Sequence, residues 1–318
     1  MVGRSAYDWV EYGESGQIRS VTEVVRELQP LLDGVEPEMV SFRALASTGI
    51  AWRDWVELAA LVRNLAATRP DAQGIVITHG TASLEETAWF LDLIVRCPLP
   101  VVLVGAQRPP NTAGSDAAPN LRAALAVAVA PAARDLGVLV VMDNYIYGAR
   151  DVRKTSNFAL DAFEAGEFGP LGRVDADGTV VLRRRPLLAG SQAAALAGAL
   201  GCNEPPRVDL ALSYAGADGT AIDAFVRAGA RAIVSVGMPP GRCTPAERDA
   251  LRKAVEAGVL VVQSSRAPRG AVVAQQYNRA DGIVSGGDLA PNKLRILLMA
   301  ALSAGIAHAA IGEMLHDY

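Results

Sequence analysis

The stretch from Gly74 to Cys97 reads GIVITHGTASLEETAWFLDLIVRC, and its reading decides the fold. It begins with a short apolar run, Ile75-Val76-Ile77, bounded by Gly74, the pattern of a buried parallel strand. It ends with Leu84, Ala88, Leu91 and Val95 on one face of an amphipathic helix. Between them lies a polar turn, Thr78-His79-Gly80-Thr81-Ala82-Ser83. Ser83 and Glu86 stand at capping-box spacing, so the helix is expected to start near Leu84. Thr81 then falls at the C-terminal end of a strand and in front of a helix N-terminus. Open α/β sheets hold ligands at such places, because unpaired N–H groups and the positive end of the helix dipole point outward.

Working outward, the same strand-turn-helix alternation recurs. Residues 1–18 carry no clear element. Val21, Val24, Val25 and Leu28 then give helical spacing, closed by Pro30. Met39 to Leu45 predicts a strand, Ala46 to Gly49 a turn, and Trp52 to Thr68 a helix. Downstream, strands are expected at Pro100–Val104 and Gly137–Met142, with a helix from about Asn120 to Val129. The alternation argues a doubly wound, largely parallel sheet. The polar segment from Asp143 to Phe168 reads as a long functional loop. Asp177-Gly178, flanked by Arg173-Val174 and Thr179–Leu182, reads as a β-hairpin.

The expected organisation is an N-terminal α/β domain over residues 1–183, a linker over 184–207 and a smaller C-terminal α/β domain over 208–318. The linker mixes basic residues, Pro186, an Ala-rich middle and Pro205-Pro206. In the second domain, strands are expected at Val208–Leu212, Ala232–Val236 and Val259–Gln263. Helices are expected near Ala221–Ala228, Pro245–Ala257, Pro291–Ala304 and Ile306–Leu315. Thr244-Pro245-Ala246-Glu247 combines a capping box with proline at the first helical position.

Composition narrows the function classes. The chain has 318 residues, 51% of them hydrophobic, enough for two cores. A formal net charge of -4 gives no electrostatic reason to expect nucleic acid or an anionic membrane as partner. Three widely spaced cysteines without a CxxC pair, and only three histidines, argue against a structural zinc site and suit a reducing cytoplasm. The N-terminus lacks an apolar signal core, and no uncharged stretch is long enough to span a bilayer. No GxxxxGK[ST], strand-borne GxGxxG or GxSxG motif is present.

The chemistry converges on the turn. A threonine hydroxyl such as that of Thr81 becomes a nucleophile when a base or cation activates it and helix-end N–H groups hold the oxyanion. Threonine at such a turn also serves simply as a helix cap. Lys154, in GARDVRKT at 148–155, can act as the base if it is held near a threonine and partly desolvated, because burial lowers the amine pKa. An isolated lysine in a charged loop is otherwise a solvated cation. Asp116 and Asn120 open a helix and can satisfy backbone groups of the preceding loop. Ser47 and Thr48 follow the expected Met39–Leu45 strand, at the same sheet edge as Thr81, and can bind a polar substrate group.

Taken together, THGTASLEETAWFLDL at 78–93, VLVGAQRP at 102–109, SDAAPNL at 115–121, GARDVRKTS at 148–156, DAFEAGEFGPLG at 161–172 and SSRAPRG at 264–270 occur in one order. In this the chain resembles the bacterial-type L-asparaginase/glutaminase family from about residue 39 to the C-terminus. The resemblance implies a two-domain α/β fold, with a larger doubly wound sheet and a smaller flavodoxin-like one. It implies hydrolysis of a side-chain amide to a carboxylate and ammonia, with no metal or cofactor. It also implies a homo-oligomer, commonly a tetramer built from intimate dimers, whose sites are completed by the neighbour's C-terminal domain. By motif, Thr81 matches the family's second threonine and Lys154 the lysine paired with it. Ser47 matches the serine that binds the substrate α-carboxylate, Thr48 falls where many members have glutamine, and Gly80 belongs to the substrate-binding turn.

Three departures from the family pattern shape the expectations. The family opens with an apolar strand ending in a TGGTI-like motif, whose threonine forms the acyl-enzyme. The sequence here starts at Met1-Val2-Gly3-Arg4, which resembles the segment just after that motif, and a mis-assigned start is the preferred explanation. The turn has Ala82 where the family has an aspartate that grips the substrate α-amino group, which leaves room for an amide without that amine. Gly237-Met238-Pro239-Pro240-Gly241 replaces the family's Asn-bearing loop. Tyr12 stands for the family's flexible-loop tyrosine, which helps activate the first threonine. The leading expectation is an asparaginase-like amidohydrolase; the alternative is a small-molecule-binding homologue that has lost turnover.

Overall fold

A computed structural model describes residues 1–28, 34–187, 192–196, 199, 201 and 204–316. The expected closing role of Pro30 lies outside these residues. The chain divides into two units, Met1–Leu188 and Ala189–Tyr318.

The first unit is organised by three apolar runs that become parallel strands: β1 (Ile75–Thr78), β2 (Val101–Val104) and β3 (Val138–Met142). Thr78 sits opposite Val104, and Val104 opposite Val141, so β1 and β2 finish level and β3 runs one residue further. Among the described residues, four α-helices belong to this unit: α1 (Val21–Leu28), α2 (Trp52–Thr68), α3 (Leu84–Ile94) and α4 (Ala117–Val129). Val102 and Val104 of β2 and Leu139 and Val141 of β3 pack with α4 in one core. Alternate strand residues point to opposite faces, so Val101, Leu103, Val138 and Val140, also buried, face the side where α3 packs. Cover on both faces explains why β2 and β3 are apolar at every position.

Beyond β3 the sheet changes direction. Strands β4 (Tyr145–Gly148), β7 (Gly172–Val174) and β8 (Val180–Leu182) follow antiparallel, so the order is β1-β2-β3-β4-β7-β8. The sheet is therefore mixed, where a largely parallel one was expected. Asp143 and Asn144 both have positive φ, which permits the tight two-residue turn from β3 into β4. The segment read as a long loop contains β4 and a small ladder of β5 (Arg153–Lys154) with β6 (Phe163–Glu164). The β7–β8 hairpin forms around Asp177-Gly178 as expected.

Other expectations need correction. β1 is an edge strand, and its residues are half-buried or exposed rather than buried. Met39–Leu45 is not a strand; Met39, Val40 and Leu45 are exposed. Apolar alternation makes a strand only where a ladder partner is available, and among the described residues β1 pairs with β2 alone. A short 3-10 helix occupies Glu11–Ser15, and α4 starts three residues before Asn120.

The second unit is built on four parallel strands in the order β12-β11-β10-β9: β9 (Val208–Leu212), β10 (Ala232–Gly237), β11 (Leu260–Ser265) and β12 (Val284–Ser285). The helices α6 (Thr220–Arg227), α7 (Pro245–Glu256), α9 (Pro291–Ser303) and α10 (His308–Met314) lie within a residue or two of their expected places. The short α8 (Gln276–Ala280) and β12 carry no sequence signal of their own because each is too short for a periodic pattern to repeat. Thr244 caps α7 as expected: its Oγ1 accepts from Glu247 N at 3.1 Å, and Glu247 Oε2 accepts from Thr244 N at 2.9 Å. Within the expected linker, Gln192–Leu196 is a short helix, α5, while 188–191, 197–198, 200 and 202–203 lie outside the described residues.

Candidate active site

The turn from Thr78 to Ser83 crosses the level C-terminal ends of β1 and β2. His79 N donates to Val104 O at 2.8 Å, so the turn starts as an extension of the β1–β2 ladder. Gly105, the first residue after β2, runs against it: a Cβ there would lie 2.7 Å from His79 O and 3.0 Å from Thr81 Cγ2. Only glycine permits that approach.

Thr81 is 7% exposed. Lys154 Nζ donates to Thr81 Oγ1 at 2.7 Å, although the two are 73 residues apart. Lys154 arrives on β5, whose register with β6 sets Lys154 opposite Phe163. Its own backbone N donates to Glu85 Oε2 at 2.5 Å, which ties β5 to the first turn of α3. Burial pushes the Lys154 amine below its ordinary pKa, and the nearby Glu85 carboxylate partly opposes that shift. A lysine with a lowered pKa, hydrogen-bonded to a buried hydroxyl, is equipped to take and return protons.

Ser47 packs against Gly80, next to Thr81 in the same turn. It begins a 3-10 helix, Ser47–Gly49, and its Oγ lies 2.6 Å from where a Cβ on Gly80 would be. Gly80 is thus required by close packing against Ser47. Ser83 Oγ donates to Ser47 O at 2.6 Å. That bond corrects the capping-box expectation. The Ser83 hydroxyl is engaged with Ser47, and Glu86 N and Thr87 N reach the Ser83 carbonyl instead.

The loop after β2 is held as expected from Asp116 and Asn120. Asp116 Oδ2 accepts from Gln107 N at 2.9 Å and Asp116 Oδ1 from Arg108 N at 2.9 Å. Asn120 Nδ2 donates to Gly105 O at 3.1 Å and to Asp116 Oδ2 at 2.8 Å, and Asn120 Oδ1 accepts from Asp143 N at 3.0 Å. These two buried side chains hold the ends of β2 and β3 behind Thr81.

The structure therefore brings Thr81, Lys154, Ser47 and Gly80 together. Ala82 and Thr48 are exposed beside them. Tyr12 lies half-buried in the Glu11–Ser15 helix, and among the described residues no hydrogen bond joins it to Thr81 or Lys154. Glu85 and Gly105 were not singled out from sequence. Glu85 stands four residues after Thr81, one helical turn on, and that spacing was the available signal. Among the described residues, no group of three or more His, Cys, Asp or Glu is arranged to hold a metal ion.

The first unit thus carries, near the C-terminal ends of its parallel strands, a buried threonine hydroxyl bonded to a half-buried lysine amine. Comparison with known families specifies it further. Residues 9–187 match the N-terminal asparaginase domain, and residues 207–315 match the glutaminase/asparaginase C-terminal domain. The chain belongs to the asparaginase family of amidohydrolases. It is 38% identical over 251 residues to L-asparaginase 2 of Escherichia coli, covering 78% of this chain and 71% of that one. It is 34% identical over 289 residues to L-asparaginase 2 of Bacillus subtilis, covering 90% and 74%. It is 37% identical over 260 residues to a probable periplasmic L-asparaginase of Haemophilus influenzae, covering 78% and 70%. The crystal structure of a probable cytoplasmic L-asparaginase from Campylobacter jejuni superposes with a TM-score of 0.84 at 31% identity, covering 94% of this chain and 91% of that one. Among the described residues, no helix is long and apolar enough to cross a membrane.

Proposed function

We propose that this protein hydrolyses the side-chain amide of a small substrate, L-asparagine or a close relative, to a carboxylate and ammonia, using Thr81 and Lys154. The observation that carries the reading is the 2.7 Å contact between Lys154 Nζ and the buried Thr81 Oγ1. Lys154, with its lowered pKa, takes a proton from the attacking hydroxyl or water through Thr81 and returns one to the departing amine. Ser47, Thr48 and Gly80 hold the substrate. The relatives named as L-asparaginases support the substrate class. Tyr12 is assigned only by its place in the motif order.

Ala82 sets the substrate preference. Without a carboxylate at that position, a substrate ammonium loses one charge-assisted partner, worth about 1.5–3 kcal/mol, or roughly ten- to hundredfold in affinity. L-Asparagine should therefore gain little over its des-amino analogue, succinamic acid. Ala82 is exposed, so a carboxylate there has room, and Ala82→Asp should shift kcat/KM toward L-asparagine. The experiment is ammonia release from both amides by both versions. No release from either amide would overturn the hydrolase assignment. A parent that already prefers L-asparagine strongly, and is unchanged by Ala82→Asp, would remove Ala82 from the argument.

We also propose a homo-oligomer. Family membership supports it, as does an exposed apolar row on edge strand β9 and just beyond, Leu210, Leu212 and Tyr214. Light scattering should find an assembly at assay concentration; an active monomer would exclude it. A cytoplasmic setting rests on the cysteine pattern, since the relatives bear both cytoplasmic and periplasmic names.

A further inference from the structure

One hydrogen-bonded chain beneath the turn has no part in the roles assigned above. Trp55 Nε1 donates to Thr87 Oγ1 at 2.9 Å. Thr87 Oγ1 lies 2.9 Å from His79 Nε2, and His79 Nδ1 lies 2.7 Å from Gly80 O. Thr87 is fully buried in α3, and Trp55 is 5% exposed, stacked on Phe90 with ring centroids 5.3 Å apart. The donor inventory orders the chain in one direction. An indole N–H only donates, so Thr87 Oγ1 accepts from Trp55. Gly80 O can only accept, so the contact at His79 Nδ1 requires the ring proton there; in the neutral ring Nε2 then carries a lone pair and accepts the Thr87 hydroxyl proton. The neutral ring therefore donates from Nδ1 to Gly80 O and accepts at Nε2.

We infer that Trp55 and Thr87 lock His79 as its neutral Nδ1–H tautomer, and that His79 is a positioning residue which orients the Gly80–Thr81 peptide rather than an acid or base. Three independent contacts show the turn is clamped rather than merely close. His79 N is held by Val104 O, Gly80 O by the imidazole, and Ser83 by Ser47 O. Gly80 itself admits no side chain against Ser47. The peptide plane between Gly80 and Thr81 is thereby set before substrate arrives, and with it the direction in which Thr81 Oγ1 meets Lys154. Burial also pushes the His79 pKa below its ordinary value, which agrees with a ring kept neutral. An imidazole whose two nitrogens are both committed within the protein has none left for substrate.

The inference about catalysis rests on the proposed amidohydrolase reading, but the tautomer can be read without turnover. Long-range 15N–1H correlation spectra of imidazole-labelled protein should show His79 with a protonated Nδ1 and a bare Nε2, assigned by loss of the signal in His79→Gln. Thr87→Ser keeps a hydroxyl and should retain both the tautomer and kcat. Thr87→Val keeps the shape and removes the hydroxyl. It should release the tautomer preference and lower kcat by about five- to tenfold with a smaller change in KM, the scale of one neutral hydrogen bond. Trp55→Phe, which removes only the indole donor, should move both readouts in the same direction and serves if Thr87→Val does not fold. A parent with a protonated Nε2 would overturn the inference. So would Thr87→Val or Trp55→Phe that loses the tautomer preference at unchanged kcat, or keeps it. If the parent releases no ammonia, the hydrolase reading fails and the tautomer spectra alone decide this one.

Discussion

Replacing Thr81 with valine should lower kcat for ammonia release by roughly a hundredfold or more, the range expected for a group engaged in proton transfer. Valine has nearly the shape of threonine, and Thr81 is buried, so the close approach of its methyl to Gly105 is preserved. What is lost is the oxygen that accepts from Lys154 Nζ. The thermal midpoint should stay where it is in the parent, which separates loss of chemistry from loss of fold. A near-normal kcat in Thr81→Val would sink the assignment, because no conservative repacking supplies a second hydroxyl to Lys154. A parallel drop in kcat and thermal midpoint would instead mean that Thr81 is a structural cap.

Replacing Lys154 with methionine should cost as much, roughly a hundred- to ten-thousandfold in kcat, and it adds a readout in pH. If the neutral amine is the base, kcat/KM rises with pH through the Lys154 pKa, which burial places below the ordinary lysine value. Lys154→Met should abolish that rising limb along with the rate. Lys154→Arg should also be inactive, because guanidinium stays protonated throughout the working range. The same shift bears on stability. A lysine whose folded pKa is lowered holds fewer protons in the folded chain than in the unfolded chain. Between the folded pKa and the ordinary lysine value, stability therefore rises with pH, and this contribution vanishes in Lys154→Met. An unchanged rate profile in Lys154→Met would remove the residue from the mechanism.

Several parts of this molecule were legible because their signals are local. Helix α2 spans the predicted Trp52–Thr68, because seventeen residues of amphipathic pattern leave little ambiguity. The capping box at Thr244 and Glu247 was legible because both partners lie within one turn. The same motif misled at Ser83. There the hydroxyl found a partner 36 residues away, Ser47 O, and a long-range contact displaced the local one. Met39–Leu45 misled for a related reason. Its composition suits a strand, but a strand is a pairing and the described residues offer it no partner.

What the sequence determined by itself is the alternation of apolar runs with amphipathic helices, the place of Thr81 at a strand-to-helix turn, and, through motif order, the family. Those depend on periodicities and residue types that any window of the chain displays. Tertiary structure alone decided which side chains meet. Lys154 reaches Thr81 because a two-residue strand pairs with Phe163–Glu164 and is tied to Glu85. Ser47 reaches Gly80 because glycine leaves space there, and Trp55 reaches Thr87 because α2 packs on α3. Each of these contacts joins residues more than thirty positions apart. Their formation depends on burial and register summed over the whole sheet, which no local pattern encodes.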